Sequence, residues 1–148
     1  MSLKDQLGED LKTAMKEKDT IKKNVVQLIR AGVKQIEVDK RIALDDEGVM
    51  EVIAKQLKQR RDSLPEYEKS GRDDLIAQLK REMEILMGYL PKQLSHEELE
   101  EIVKEAVLAT GAKTIKDIGK VMSYVMPKTK GVADGKEINA IVRSMLEI

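Results

Sequence analysis

Cysteine, phenylalanine and tryptophan are absent from this chain of 148 residues, histidine occurs once and proline three times. The lack of cysteine excludes disulfides, thiolate nucleophiles and cysteine-ligated metals together, and suits a reducing compartment. With Tyr67, Tyr89 and Tyr124 as the only aromatics, any core must be built from Leu, Ile, Val and Ala, and the eight Met residues serve as gap-fillers. Stacking of unpaired bases on aromatic side chains is almost unavailable. Neither sign of charge dominates: Lys and Arg number 27, as do Asp and Glu, so bulk charge advertises neither nucleic acid nor membrane. No apolar run approaches the roughly 18 residues needed to cross a bilayer. The N-terminus MSLKDQLGED lacks the apolar stretch of a signal peptide, and a cytoplasmic protein is expected.

What is present is helical periodicity. The chain has 36% charged residues and no alternating strand pattern, which predicts an all-α, multihelical fold. Ser2 caps a first helix with Leu3, Leu7, Leu11 and Met15 on one side. A second, from about Thr20 to Val38, turns Ile21, Val25, Leu28, Ile29 and Ile36 inward. A third starts near Asp46 and is interrupted at Pro65, where a bend or break is expected because proline removes a hydrogen bond and clashes with the preceding turn. Ser63 and Glu66 could restart it as a capping box. Gly71 ends this segment, and Asp73 is placed as the cap of a fourth helix.

Pro91 marks the main boundary. Beyond it Ser95 and Glu98 read as a capping box, with Leu94 and Leu99 as a hydrophobic staple, and Thr110-Gly111-Ala112 closes the fifth helix. Thr114 and Asp117 open a sixth, with Ile115, Ile118, Val121, Met122, Val125 and Met126 on one face, ending at Pro127. Asp134 and Glu137 box a seventh. The prediction is a four-helix subdomain over 1–91 and a three-helix C-terminal subdomain over 92–148.

Catalytic chemistry is poorly supplied. His96 stands at the first position of a capped helix, where exposure is the default, and no nucleophile–base–orienter set surrounds it. The glutamates at 97, 98, 100, 101 and 105 diverge by about 100° per residue and suit a helix N-terminus electrostatically. Without several His or Cys ligands no structural metal site is indicated. No catalytic residue, metal or cofactor is therefore assigned.

Two basic clusters remain. Lys55, Lys58, Arg60 and Arg61 fall within two turns of the third helix. In residues 112–148, Lys113, Lys116, Lys120, Lys128, Lys130, Lys136 and Arg143 stand against Asp117, Asp134, Glu137 and Glu147. Lysines around a glycine-loosened loop that runs into a helix N-terminus make an anion-docking surface. Neutralised phosphates are the sequence-independent basis of nucleic-acid affinity, and shape recognition of a folded RNA is the form these residue types permit. On composition alone, a solvated face is the favoured reading of both clusters.

Several motifs occur in a telling order: Lys12, Ala14-Met15-Lys16 and Lys18-Asp19; Lys58-Gln59-Arg60-Arg61-Asp62-Ser63 with Tyr67; Gly71-Arg72-Asp73-Asp74-Leu75; Tyr89-Leu90-Pro91 with Gln93-Leu94-Ser95; Gly119-Lys120-Val121-Met122; and Lys130-Gly131-Val132-Ala133-Asp134-Gly135 with Asn139 and Val142. Together they resemble the GatB/YqeY family over nearly the whole chain, most closely its free-standing bacterial members. The resemblance implies an all-helical fold in two subdomains, with the C-terminal one helping to hold tRNA. It also implies association with carbon–nitrogen ligation in which glutamine donates the amide nitrogen. In glutamine-dependent aminoacyl-tRNA amidotransferase, the GatB subunit carries a tail similar to this chain behind a catalytic body that nothing here resembles. Ser123 and Val132 stand where the family usually has basic residues.

The expectation is a helical module without catalytic activity of its own that binds tRNA or the tRNA-amidation machinery. Its nucleic-acid-binding residues would be Lys116, Lys120, Lys128, Lys130, Gly131 and Lys136. The alternative is a protein–protein interaction module without RNA contact, and an amidotransferase activity ranks last.

Overall fold

The computed structural model describes residues 1–146, so the terminal pair that includes Glu147 lies outside the described residues. Among these residues there are seven α-helices and no strand: α1 Leu3–Glu17, α2 Thr20–Lys40, α3 Asp46–Ser70, α4 Asp73–Gly88, α5 His96–Thr110, α6 Ile118–Thr129 and α7 Gly135–Leu146. A 3₁₀ turn, Ile115–Asp117, leads into α6. The chain divides into two compact units, Met1–Leu90 and Pro91–Ile148.

In the first unit, Ser2 Oγ accepts from the Asp5 amide and starts α1. The α1–α2 connection is very short: Lys18 takes the left-handed conformation (φ 58°) and Asp19 caps α2 by accepting from the Lys22 amide. Asp45 does the same for α3 through the Gly48 amide. Gly71, at φ 67°, ends α3, a backbone state that glycine adopts without steric cost. The aliphatic core gathers Leu7, Val25, Val26, Ile29, Val33, Val49, Ile53, Leu57 and Leu86. Between α1 and α4, the Tyr89 hydroxyl donates to Asp10; burial and that carboxylate push the Tyr89 phenol upward.

Several expectations for this unit are corrected. α3 runs without a break through Pro65, and Ser63 Oγ donates to the Gln59 carbonyl inside the helix instead of capping a new one. Asp73 is the first helical residue of α4; Arg72 occupies the cap position and makes no side-chain cap bond. Leu28 and Met15 face solvent, at 52% and 56% exposure, while Val26 and Val33 are buried. The apolar stripe of α2 is therefore rotated from the expected one toward the side that its neighbours cover. The basic cluster on α3 is largely absorbed by local pairing: Arg60 Nε donates to Glu82 of α4 at 2.9 Å, and Lys58 reaches Asp62 at 3.4 Å.

In the second unit, the Ser95–Glu98 capping box is formed, Leu94 packs against the core that holds Leu99, and Gly111 (φ 68°) ends α5. Leu99, Val103, Ala106, Val121, Val125, Ile138, Ile141, Val142 and Leu146 make the core. Thr114 and Asp117 do form a box, but on the 3₁₀ turn. Pro127 lies inside α6, which continues to Thr129. The Thr129 side chain is buried at 1% exposure, and its hydroxyl donates to the Val125 carbonyl at 3.0 Å. Met126, expected inward, is 44% exposed.

Candidate nucleic-acid interface

The loop after α6 is held by its own carbonyls. Gly131, at φ 78°, gives its carbonyl to Gln93 Nε2 at 2.9 Å, and the Val132 carbonyl accepts from the Leu94 amide at 2.8 Å. The Val132 amide turns back to the Thr129 carbonyl at 3.0 Å. The segment before α5 thus pins the glycine-containing loop. Gln93 was not among the expected site residues, and no local pattern in the sequence points to this long-range role.

At the start of α7, Asp134 Oδ1 accepts from the Lys136 amide at 3.1 Å. The helix N-terminus that looked open to an anion is already occupied by this carboxylate, so the cationic character of the region rests on lysine side chains.

The six expected residues do not form one cluster. Lys116 sits on the 3₁₀ turn and Lys120 in the first turn of α6; Lys128, Lys130, Gly131 and Lys136 lie at the other end of α6 and the start of α7. With a rise of 1.5 Å per residue, Lys120 and Lys130 are separated by about 15 Å along the axis. Lys120, Tyr124 and Lys128 follow one another at four-residue spacing and so share one face of α6. Lys116, Lys120, Lys128, Lys130 and Lys136 are all exposed, and Gly131 is half-buried.

Two local pairings shape the field. Lys128 Nζ lies 4.3 Å from the centroid of the Tyr124 ring, 3.0 Å from its hydroxyl and 3.5 Å from Glu105 Oε1 of α5. Tyr124 donates to the same carboxylate oxygen at 3.3 Å. The Tyr124 hydroxyl and the Glu105 charge hold the Lys128 ammonium above its ordinary value, so it stays charged but partly neutralised. The four-residue Tyr–Lys spacing could have announced this contact; the partnership with Glu105 could not be read locally. Asp117 accepts the Lys113 and Thr114 amides at 3.0 and 3.4 Å, which, with Lys120 nearby, lowers its carboxyl below the usual range.

His96 has closer partners than its terminal position implied. Nε2 lies 2.8 Å from Glu100 Oε1 and Nδ1 lies 3.3 Å from Glu137 Oε1 of α7. Among the described residues, no group of three or more His, Cys, Asp or Glu side chains is arranged to hold a metal ion, and no helix is long and apolar enough to cross a membrane.

These features define an all-helical protein of two helical units whose candidate site is an exposed lysine surface on the second. A family model described as Yqey-like protein matches residues 4–146, and the chain belongs to the YqeY family. It is similar to proteins called altered inheritance of mitochondria protein 41, mitochondrial. The relative from Eremothecium gossypii is 36% identical over 85 residues, covering 57% of this chain and 46% of that one. In Candida glabrata the figures are 34% over 102 residues, 68% and 56%; in Pyrenophora tritici-repentis they are 29% over 136 residues, 89% and 74%. The chain spans about half the length of the first two. These relatives are mitochondrial by name, so they carry neither the bacterial nor the cytoplasmic part of the expectation.

Proposed function

We propose that this chain is a helical module, without catalysis of its own, that binds tRNA or a tRNA-handling assembly in the cytoplasm through phosphate contacts on its second unit. The observation that carries the reading is the exposed series Lys116, Lys120, Lys130 and Lys136, spread along α6 and the start of α7. Charges spaced over some 15 Å of helix suit a backbone that presents phosphates repeatedly, where a single small anion would use only one end. Similarity to the tail of an amidotransferase subunit supports tRNA as the RNA, and glutamine-dependent amide transfer as the process served. That part of the reading rests on family analogy. Lys128 contributes less than a lysine with its full charge available, because Glu105 already shares its charge.

Fluorescence anisotropy of labelled tRNA with the intact protein across a salt series tests the proposal. Affinity should fall by about 0.9 log units per decade of salt for each duplex phosphate contact. Absence of salt-dependent binding at low ionic strength overturns it.

A further inference from the structure

The first unit carries a feature that RNA binding does not use: an open groove of about 560 Å³ between α2 and α3. Its floor is apolar, formed by Gly32, Ile36, Leu44 and Val52. Gly32 keeps the floor low, since a Cβ there would stand 3.0 Å from Val52 Cγ1 and 3.2 Å from Gln56 Nε2. At one end Ile42 is 48% exposed, and one turn before Gly32 on the same face of α2 stands Leu28, at 52%. Lys40, Lys55 and Glu51 line the groove, all exposed; neither lysine is paired with a carboxylate among the described residues, so two cations stand against one acid and the lining is net positive.

We propose that this groove docks an acidic amphipathic helix of a partner protein, its apolar stripe on Ile36, Leu44 and Ile42 and its carboxylates on Lys40 and Lys55. The groove is partly open to solvent, whereas small-molecule sites enclose most of the ligand surface. Its α3 wall, from Gly48 to Gln59, extends about 16 Å, three helical turns. That length matches a helix presenting anchors at i, i+3 or i+4, and i+7. The unmatched lysines select the sign of the partner's flanking charge, since a like charge against them is repelled.

The test uses two synthetic helical peptides of about 14 residues, roughly 20 Å long, with the same Leu/Ile stripe and either Glu or Lys on the flanks. Each is titrated into the full-length protein while backbone amide shifts are followed by NMR. The Glu peptide should shift Gly32, Ile36 and Gly48, and the Lys peptide should bind about tenfold more weakly. The double variant Lys40→Glu/Lys55→Glu, altered only at exposed positions, should reverse that preference while keeping the wild-type helical spectrum. Equal binding of both peptides, no binding, or shifts confined to the second unit overturns the proposal. Shifts at the groove that grow with protein concentration in the absence of peptide also overturn it, identifying a second copy as the occupant. RNA affinity is measured separately, so failure here leaves the tRNA reading standing.

Discussion

His96 Nδ1 lies 3.3 Å from a carboxylate oxygen of Glu137, joining the first turn of α5 to the first turn of α7. With Glu100 on the other ring nitrogen, the imidazole lies between two acids. The Glu137 contact, ahead of the opposing effect of partial desolvation and the attraction of Glu100, raises its pKa above the ordinary 6.5.

A group whose pKa is raised on folding stabilises the native state fully below its unfolded value, and loses that contribution as pH rises through the folded value. Thermal unfolding of wild type and His96→Gln should therefore differ at about pH 5.5 and converge by about pH 9. Both proteins should fold, because the side chain is 57% exposed. A gap that widens toward alkaline pH contradicts the bridge.

Replacement of Lys116, Lys120, Lys130 and Lys136 by Ala should weaken binding of different tRNAs to similar extents, because phosphate contacts position without specifying sequence. Each should contribute about 1 kcal/mol or less at physiological salt, since exposed charges are screened. Lys128→Ala should cost less than Lys116→Ala, because Glu105 already shares the Lys128 charge. Ser123→Lys, which adds a charge on exposed α6 surface, should tighten binding. Anisotropy titrations at fixed salt measure all of these, and a selective loss for one tRNA argues against phosphate contact.

Pro65→Ala should stabilise the protein by about 1–3 kcal/mol. The helix already passes through this position, so alanine restores an amide donor and relieves a ring clash without requiring a new conformation. Urea denaturation gives the value, and unchanged or lower stability would show that proline's restriction of the unfolded chain outweighs both effects.

Two glycine replacements should move in opposite directions. Gly8→Ala, in α1 with nothing within 4 Å of the added carbon, should stabilise by about 0.5–1 kcal/mol through reduced backbone entropy. Gly32→Ala places its Cβ 3.0 Å from Val52 Cγ1, on a side chain that is buried and stiff at χ1. That overpacking should cost about 1–3 kcal/mol against the same entropic gain. Parallel urea curves decide, and equal signs for the two changes would contradict the close packing of α2 on α3.

Helix positions and ends were legible wherever the signal is local. Ser2, Ser95 with Glu98, Gly71 and Gly111 all act where their side-chain or backbone chemistry places them. Pro65 and Pro127 misled, because proline in a helix carries a finite cost that surrounding helical propensity and packing can exceed. Arg72, with no capping side chain, shows that a helix can begin just before the best local cap candidate. The lysines of the candidate site were visible as residues, but their separation into two ends of α6 follows only from where the helix starts and stops.

The sequence by itself determined the helical class, most helix limits and the family, because caps, apolar period and motif order act over a few residues. The tertiary structure alone decided which edge of each apolar stripe is covered, leaving Leu28 and Met126 exposed while Val26 and Val33 are buried. It also decided that Glu105 takes Lys128, that Glu137 takes His96, and that Asp134 fills the anion seat of α7. An amphipathic pattern specifies a face some 100° wide, and only the neighbouring helices choose, within that arc, what is buried and which charges are matched.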